Sequence, residues 1–346
     1  LDNHDDFGGH AKRNEFWLGD RMLLSHGGTE DISDLRRYTD AGRRLLASIG
    51  VDVSRYADLH DESVYGALGL QRGTFLNKET FGSDTLLARM GQPSWRDYFA
   101  KTPLSAAAQQ ELVRLYGSKI DYLEGMRPAE KLEFAQSTSY EKFLREYAGI
   151  GGEALSYVWE CVTWAIGLDA ISTWVAVGEG WPGTAALGLA DYAETGAVQT
   201  GESQFCHFPD GNATITRLLV RSLVPGVAPG HTLDDVVTAR FDYGALDSSD
   251  SAVRVRLNST AVNVRHRGDP ATAKEVVVRY VRGDRAYEVR AGRCVMACYN
   301  AAIPYICEEL PAAQKENLSL AAKAPLIYTN VLLLSLIHIS EPTRLC

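Results

Sequence analysis

The strongest constraint on the fold is a change of hydrophobic period along the chain. In the C-terminal part apolar residues alternate with polar ones, at Val253, Val255 and Leu257, at Val262 and Val264, and at Val276, Val278 and Tyr280. A period of two places every second side chain on one face of a strand. A turn at Gly283 and Asp284 leads into Ala286 to Val289, and Cys294 to Ala297 reads as a short buried strand. Together these predict a small antiparallel meander returning to a central sheet. From about Asp52 to Gly201 the pattern is helical instead. Ser105 to Tyr116 and Ser139 to Tyr147 each open on a Ser suited to capping, and the second carries Phe143, Leu144 and Tyr147. Ala154 to Val177 is almost uncharged and holds Tyr157, Trp159, Trp164 and Trp174. That composition predicts an aromatic buried helix pair, or alternatively the wall of an aromatic substrate channel.

The two ends of the chain carry loop signals. Leu1 to Arg13 reads LDNHDDFGGHAKR, a strand end delivered into a Gly-rich loop near a phosphate. Leu23 to Ile32 contains a second pair, Gly27 and Gly28, before a helix-like segment from Asp34 to Ile49 that Gly50 would stop. Phe205 to Phe208 predicts a strand, Pro209 to Asn212 a turn, and Ala213 to Leu223 a helix with Ile215, Leu218, Leu219 and Leu223 at helical spacing.

A chain of 346 residues, 45% hydrophobic and 23% charged, is long enough for two packed units. Its formal net charge of −9 argues against a nucleic-acid partner, because binding a phosphate backbone rests on clustered Lys and Arg. The six cysteines lack metal-site spacing and read as small buried hydrophobes, with Cys294 and Cys298 open to an alternative reading as a redox pair. No apolar run is long enough for a membrane span, the longest lying between Pro325 and Ile339. Leu334 to Arg344, LSLIHISEPTR, resembles the conceptual translation of a transposase adapter used in DNA sequencing libraries. It is expected to be a non-native tail.

Asp2 at a strand end, six residues before Gly8 and Gly9, suits a dinucleotide fold, where such a carboxylate accepts hydrogen bonds from ribose hydroxyls. The LDNHDDFGGHAKRNEF segment resembles the second strand and following loop of the flavin amine oxidases. The resemblance extends, in order, through HFPDGNATITRLLVRSLVPGVAPGHT, RLNSTAVNVRH, GRCVMACYNAAIPYICEELP and APLIYTNVLL, and is nearest to bacterial spermidine dehydrogenase-like flavoproteins. It implies a glutathione-reductase-type, Rossmann-like FAD-binding domain of α/β class, interrupted by a mostly helical substrate domain. The expected boundaries are 1–50 and 201–300 for the FAD-binding parts, the latter with the β-meander, 51–200 for the helical domain, 301–333 for a second substrate segment and 334–346 for the tail.

Residue by residue, the resemblance implies that Asp2 holds the adenosine ribose and that Gly8 and Gly9 admit the pyrophosphate. His10 stands where the family usually has Arg, so Lys12 or Arg13 is expected to supply that phosphate contact. Gly27, Gly28 and Thr29 match the loop against the isoalloxazine ring, Val262 matches the strand residue whose backbone meets adenine, and the Pro209 to Asn212 turn lies near the flavin entrance. His26 and His207 would lie nearest the flavin, but no residue is nominated as a catalytic base.

The family's Gly-x-Gly-x-x-Gly loop is expected upstream of Leu1 and its closing Gly-Asp segment downstream of Leu333, so the chain as given is expected to bind FAD weakly or not at all and to be inactive. The intact enzyme would oxidise an amine, such as a polyamine, by hydride transfer to flavin, with an unidentified electron acceptor. A haem is a further option for the intact protein, although no Cys-x-x-Cys-His motif occurs here. The periplasm is preferred over the cytoplasm as its location. Two rivals stand beside this reading: a desaturase-like FAD oxidoreductase acting on an apolar substrate, and a non-catalytic dinucleotide-binding or scaffold protein. Carboxylates in the cleft of the helical region would favour the polyamine, and an apolar cleft the desaturase.

Overall fold

A computed structural model describes residues 1–33, 38–52, 66–70, 73–88, 94–162, 167–189, 205–320 and 327–332. Its described strands are, in chain order, β1 (Arg13–Leu18), β2 (Arg21–His26), β3 (Asp31–Ser33), β4 (Gly73–Leu76), β5 (Thr85–Ala88), β6 (Phe205–His207), β7 (Thr260–His266), β8 (Val276–Arg282) and β9 (Arg285–Ala291). They form small antiparallel sheets: β1 with β2, β3 with β6, β4 with β5, and the meander β7-β8-β9. With the helices described below, this makes a mixed α/β protein. A parallel dinucleotide-binding sheet does not occur among the described strands.

The chain separates into two compact units, one of Leu1–Ala57 with Gln204–Cys346 and one of Asp58–Ser203. The discontinuous unit is held by backbone pairing and three apolar clusters. β3 and β6 pair Asp31 with His207 and Ser33 with Phe205, so the chain leaves this unit and returns beside itself. The Ala213–Leu223 helix buries Leu218 among Ile32, Phe208 and Val236, and Val220 among Phe7, Val227 and Leu257. These positions recur at the three- and four-residue spacing of a helix buried on more than one side. In the meander, β8 buries Val276, Val277, Val278 and Tyr280, and its tight turn uses Gly283 at φ +62°.

The contiguous unit is mainly helical. Ser105 caps the Ala106–Gly117 helix by accepting from the Ala108 amide, and Ser139 does the same for Lys142. The segment that Ser139 opens does not stay α-helical, because Phe143–Tyr147 widens into a π turn. The aromatic stretch forms the Gly152–Val162 and Thr173–Gly178 helices around a core containing Phe99, Tyr140 and Phe143. Trp164 lies outside the described residues.

Several sequence expectations are corrected. Cys294 to Ala297 forms neither a strand nor a buried segment: Val295 is 89% exposed, and Cys294 and Cys298 are exposed. The flanking pattern offers that run no sheet neighbour among the described residues. Val253 to Leu257 is likewise not a strand, and only Leu257 is buried there. Of the cysteines with described side chains only Cys307 is buried, Cys161 being exposed as well. The early helix covers Asp40–Ser48, residues 34–37 lying outside the described set, and Leu45 faces solvent. The hairpin of β1 and β2, turning at Gly19 with φ +64°, was not anticipated. The stretch at 334–346, including His338 and Cys346, lies outside the described residues. Among the described residues no helix is long and apolar enough to cross a membrane.

Candidate functional site

The first glycine pair sits in a loop whose backbone requires glycine. Gly8 and Gly9 have φ of +107° and +57°, where a side chain is strained. A Cβ on Gly8 would also lie 2.9 Å from the Ala11 carbonyl oxygen, whereas at Gly9 it would meet nothing within 4 Å. The second pair packs onto this loop. Gly27 N donates to the Lys12 carbonyl at 2.8 Å, and a Cβ at Gly28 would come within 3.1 Å of the His10 carbonyl oxygen. Two segments that looked alike in sequence are thus one backbone-to-backbone contact. For Gly27 close packing alone explains the glycine.

Asp2 is stitched to the segment leading into β7. Its amide donates to the Arg256 carbonyl at 2.9 Å and its carbonyl accepts from Ser259 N at 2.8 Å. Its carboxylate accepts from the amide and the Nδ1 of His4 through the same oxygen, Oδ1, at 2.9 Å each. The other oxygen, Oδ2, has no hydrogen bond among the described residues. Val262 follows a few residues later at an irregularity in the β7–β8 register between Ala261 and Asn263, and it is half exposed. Such a bulge leaves one residue outside the ladder.

The basic residues divide in their availability. His10 is engaged, its Nε2 within 2.8 Å of the Tyr299 hydroxyl. Arg13 is used internally: it pairs with the fully buried Asp210 at 3.2 Å, with Glu15, and with the Val237 carbonyl. Arg217 donates to the carbonyls of Val236 and Ala239 and stacks 4.0 Å from the Phe241 ring. Both guanidiniums therefore serve the C-terminal end of the Leu233–Thr238 helix, where backbone oxygens lack helical partners and the dipole is negative. Burial, reinforced by the neighbouring Arg13, lowers the Arg217 pKa to about 10, against the opposing pull of Asp210. Lys12 makes only a long contact, 3.4 Å, with exposed Asp5. It is the cation of this loop left for a ligand.

An open pocket of about 290 Å³ lies here, between the Asp6–Glu15 loop and the Ala213–Leu223 helix, with Lys12, Arg217 and Tyr243 in its wall. Of the residues expected at a cofactor, Lys12 and Arg13 line it, and Asp2, Gly8, Gly9, His10, Gly27, Gly28, Thr29 and Val262 do not. Burial raises the Tyr243 hydroxyl's pKa, and its 2.7 Å hydrogen bond to Asp6 adds to the rise.

A second cluster forms where Gly27 to Asp31 meets the turn after β6. Asn212 N donates to the Thr29 carbonyl at 3.1 Å, and Asn212 Nδ2 donates to the Asp31 carbonyl at 2.8 Å. Asn212 stands at the N-cap of the Ala213–Leu223 helix yet makes no side-chain cap bond. Its Oδ1 and the Oγ1 of Thr29 are buried without partners among the described residues. Reversing the amide would not help, because Nδ2 already has its acceptor. Around them Glu30 lies 3.7 Å from His26 and 3.6 Å from His207, and the His26 ring meets the Tyr328 and His207 rings edge-on. Burial raises the Asp31 pKa, Glu30 adding to the rise and the two histidines opposing it. The sequence singles out Thr29 and marks Asn212 as the end of the Pro209 to Asn212 turn expected near the flavin entrance, but it does not show the Asn212 side chain as one with an oxygen left over.

Compared with known proteins, the chain matches no family model and no curated sequence. Asn263 Oδ1, beside Val262, is a further buried acceptor without a partner. No group of three or more His, Cys, Asp or Glu side chains is placed to hold a metal ion among the described residues.

Proposed function

We propose that the protein is an FAD-dependent oxidoreductase of the flavin amine oxidase type, built on a Rossmann-like domain with an inserted helical substrate domain. The observation that carries this reading is the pair of unsatisfied buried oxygens on Thr29 and Asn212. Leaving such an atom unpaired costs on the order of 1–3 kcal/mol, so a polar group seated between the two turns would recover a real penalty. The fit to a flavin nucleotide is partial. Asp2 Oδ2 is available to a ribose diol and Lys12 to a phosphate, Gly9 leaves open space for close approach, and the Thr29–Asn212 oxygens suit the polar edge of a ring. His10 and Arg13 do not fit a phosphate role because other groups hold them.

When bound, FAD would supply the acceptor for a hydride taken from a carbon of the substrate. The chain's own contribution is to bind and orient. Asp2 would hold the adenosine end, Lys12 would neutralise phosphate charge, and Thr29 with Asn212 would accept hydrogen bonds from the ring. For an amine substrate, the site must also keep the nitrogen neutral, which desolvation favours.

One observation favours the apolar-substrate reading within the same flavin proposal. The pocket in the helical unit carries no charged side chain among the described residues. A polyamine would find no carboxylate there.

The test uses protein expressed from the whole reading frame that encodes these residues. It should retain flavin on purification, and Thr29→Val should weaken FAD binding about tenfold, the loss of roughly one good hydrogen bond. Anaerobic bleaching by spermidine would support the amine reading, and bleaching only by an isoprenoid polyene the apolar one. If no flavin binds, or if Thr29→Val leaves affinity unchanged while raising thermal stability, the oxygens are packing defects and the proposal fails.

A further inference from the structure

The helical unit contains a cavity of about 410 Å³, within the range that small-molecule sites occupy. Its lining includes Trp95, whose ring centroid lies 4.7 Å from that of Tyr116, and Trp181. Its polar groups include uncharged hydroxyls and a thiol, on Thr74, Tyr98, Ser118, Tyr157 and Cys161. Tyr98 and Tyr157 are each buried, their hydroxyls 3.3 Å apart, and Tyr98 donates onward to Thr74 Oγ1 at 3.0 Å. Because the Tyr98 proton goes to Thr74, Tyr157 must donate to Tyr98, so the pair has spent both its protons and keeps lone pairs that can accept from a further donor.

Part of the wall is close-packed. Gly183 holds φ +81°, and a Cβ there would stand 2.7 Å from Leu115 Cδ1, so two lining residues pack directly on each other. Aromatic rings, a lining without a charged side chain among the described residues and a hydroxyl relay select one kind of guest. Aromatic faces stack on planar π systems, an uncharged lining penalises ions that must shed water, and the relay rewards a polar atom that donates.

We propose that this cavity is a binding site for a neutral, planar, aromatic or conjugated small molecule bearing a single hydroxyl, which donates a hydrogen bond to the Tyr98–Tyr157 pair. The Cys161 thiol, at the cavity's edge, stays protonated at neutral pH. Although exposed at one side, the thiol is partly desolvated by the cavity wall, which moves its pKa up to about 11; Glu160 adds to the rise, and Tyr157 opposes it. The site therefore presents no thiolate to repel or attack such a guest. It lies within one unit and requires no flavin.

Calorimetric titration of the full chain with 2-naphthol tests this, with spermidine as the charged comparison. One saturable site is expected for 2-naphthol, weakened about threefold to tenfold by Tyr157→Phe, which removes the hydroxyl and keeps the ring. Ala186→Trp, which fills the cavity, should abolish binding, with the circular dichroism of each variant confirming that it folds. Binding of 2-naphthol that survives Ala186→Trp in a folded protein, or displacement of 2-naphthol by spermidine, would overturn the assignment. Absence of any 2-naphthol site would do so too. FAD added to the titration should leave 2-naphthol affinity unchanged, so failure of this site and failure of the flavin reading are separate results.

Discussion

Gly211 shows how a single residue joins two halves of the candidate site. It has φ +64°, and a Cβ on it would sit 2.5 Å from the Thr29 carbonyl oxygen and 2.6 Å from His26 Cβ. Gly211→Ala must strain the backbone and push β2's end away from the turn, so a loss of about 2–4 kcal/mol is expected in denaturant unfolding. Exposed Gly226, with ordinary φ and nothing within 4 Å, is the matched control and should change stability little on substitution by Ala. The sequence shows such glycines as turn signals, but which of them is wedged between two chains depends on partners far away along the chain. The same limit hid the site's polar defect. Asn212 in a helix-capping position predicts a satisfied cap, and only the tertiary position of Asp31 shows its amide drawn elsewhere with one oxygen left over.

Elements with strong local signals were legible. The Ala106–Gly117 and Ala213–Leu223 helices combine periodic apolar residues with clear starts, and β7, β8 and β9 combine alternation with a Gly-Asp turn. Where the local signal was ambiguous, context decided. An unbroken apolar run such as Cys294 to Ala297 is a strand only if neighbours accept its hydrogen bonds. Arg13–Leu18 has no clean alternation and leaves Trp17 and Leu18 exposed, so β1 was hidden. The meander is tied to the preceding loop by charge. Asp247 bonds Arg254 and Arg256 and lies 3.3 Å from Arg282 on β8, and the Arg256 hydrogen bond is the chief reason its pKa falls below the ordinary 3.8. A depressed carboxylate pKa contributes stability that is fully present above the unfolded value and is lost as pH falls through the folded one. Asp247→Asn should therefore be less stable than the parent at neutral pH, by an amount that shrinks as pH falls below the ordinary carboxylate range, as urea midpoints across pH would show. A difference that persisted into acid would mean that packing, rather than charge, holds the loop.

At the scale of the molecule, each unit has its own core. The cluster around Phe99, Tyr140 and Phe143 belongs wholly to Asp58–Ser203, and the remaining clusters to the other unit. Phe143 is fully buried, so Phe143→Ala should cost about 3–5 kcal/mol. Scanning calorimetry should show that cost in one of two transitions, the other keeping its midpoint; a single transition moving as a whole would mean one cooperative block. The pairing of β3 with β6 sets the order in which these cores can form. During translation β3 emerges early, yet its partner follows only after the whole intervening unit has been made, and that unit needs nothing beyond its own contiguous residues to bury its apolar side chains. On the ribosome, then, the contiguous unit can close first, while β3 waits with an unpaired edge until β6 arrives.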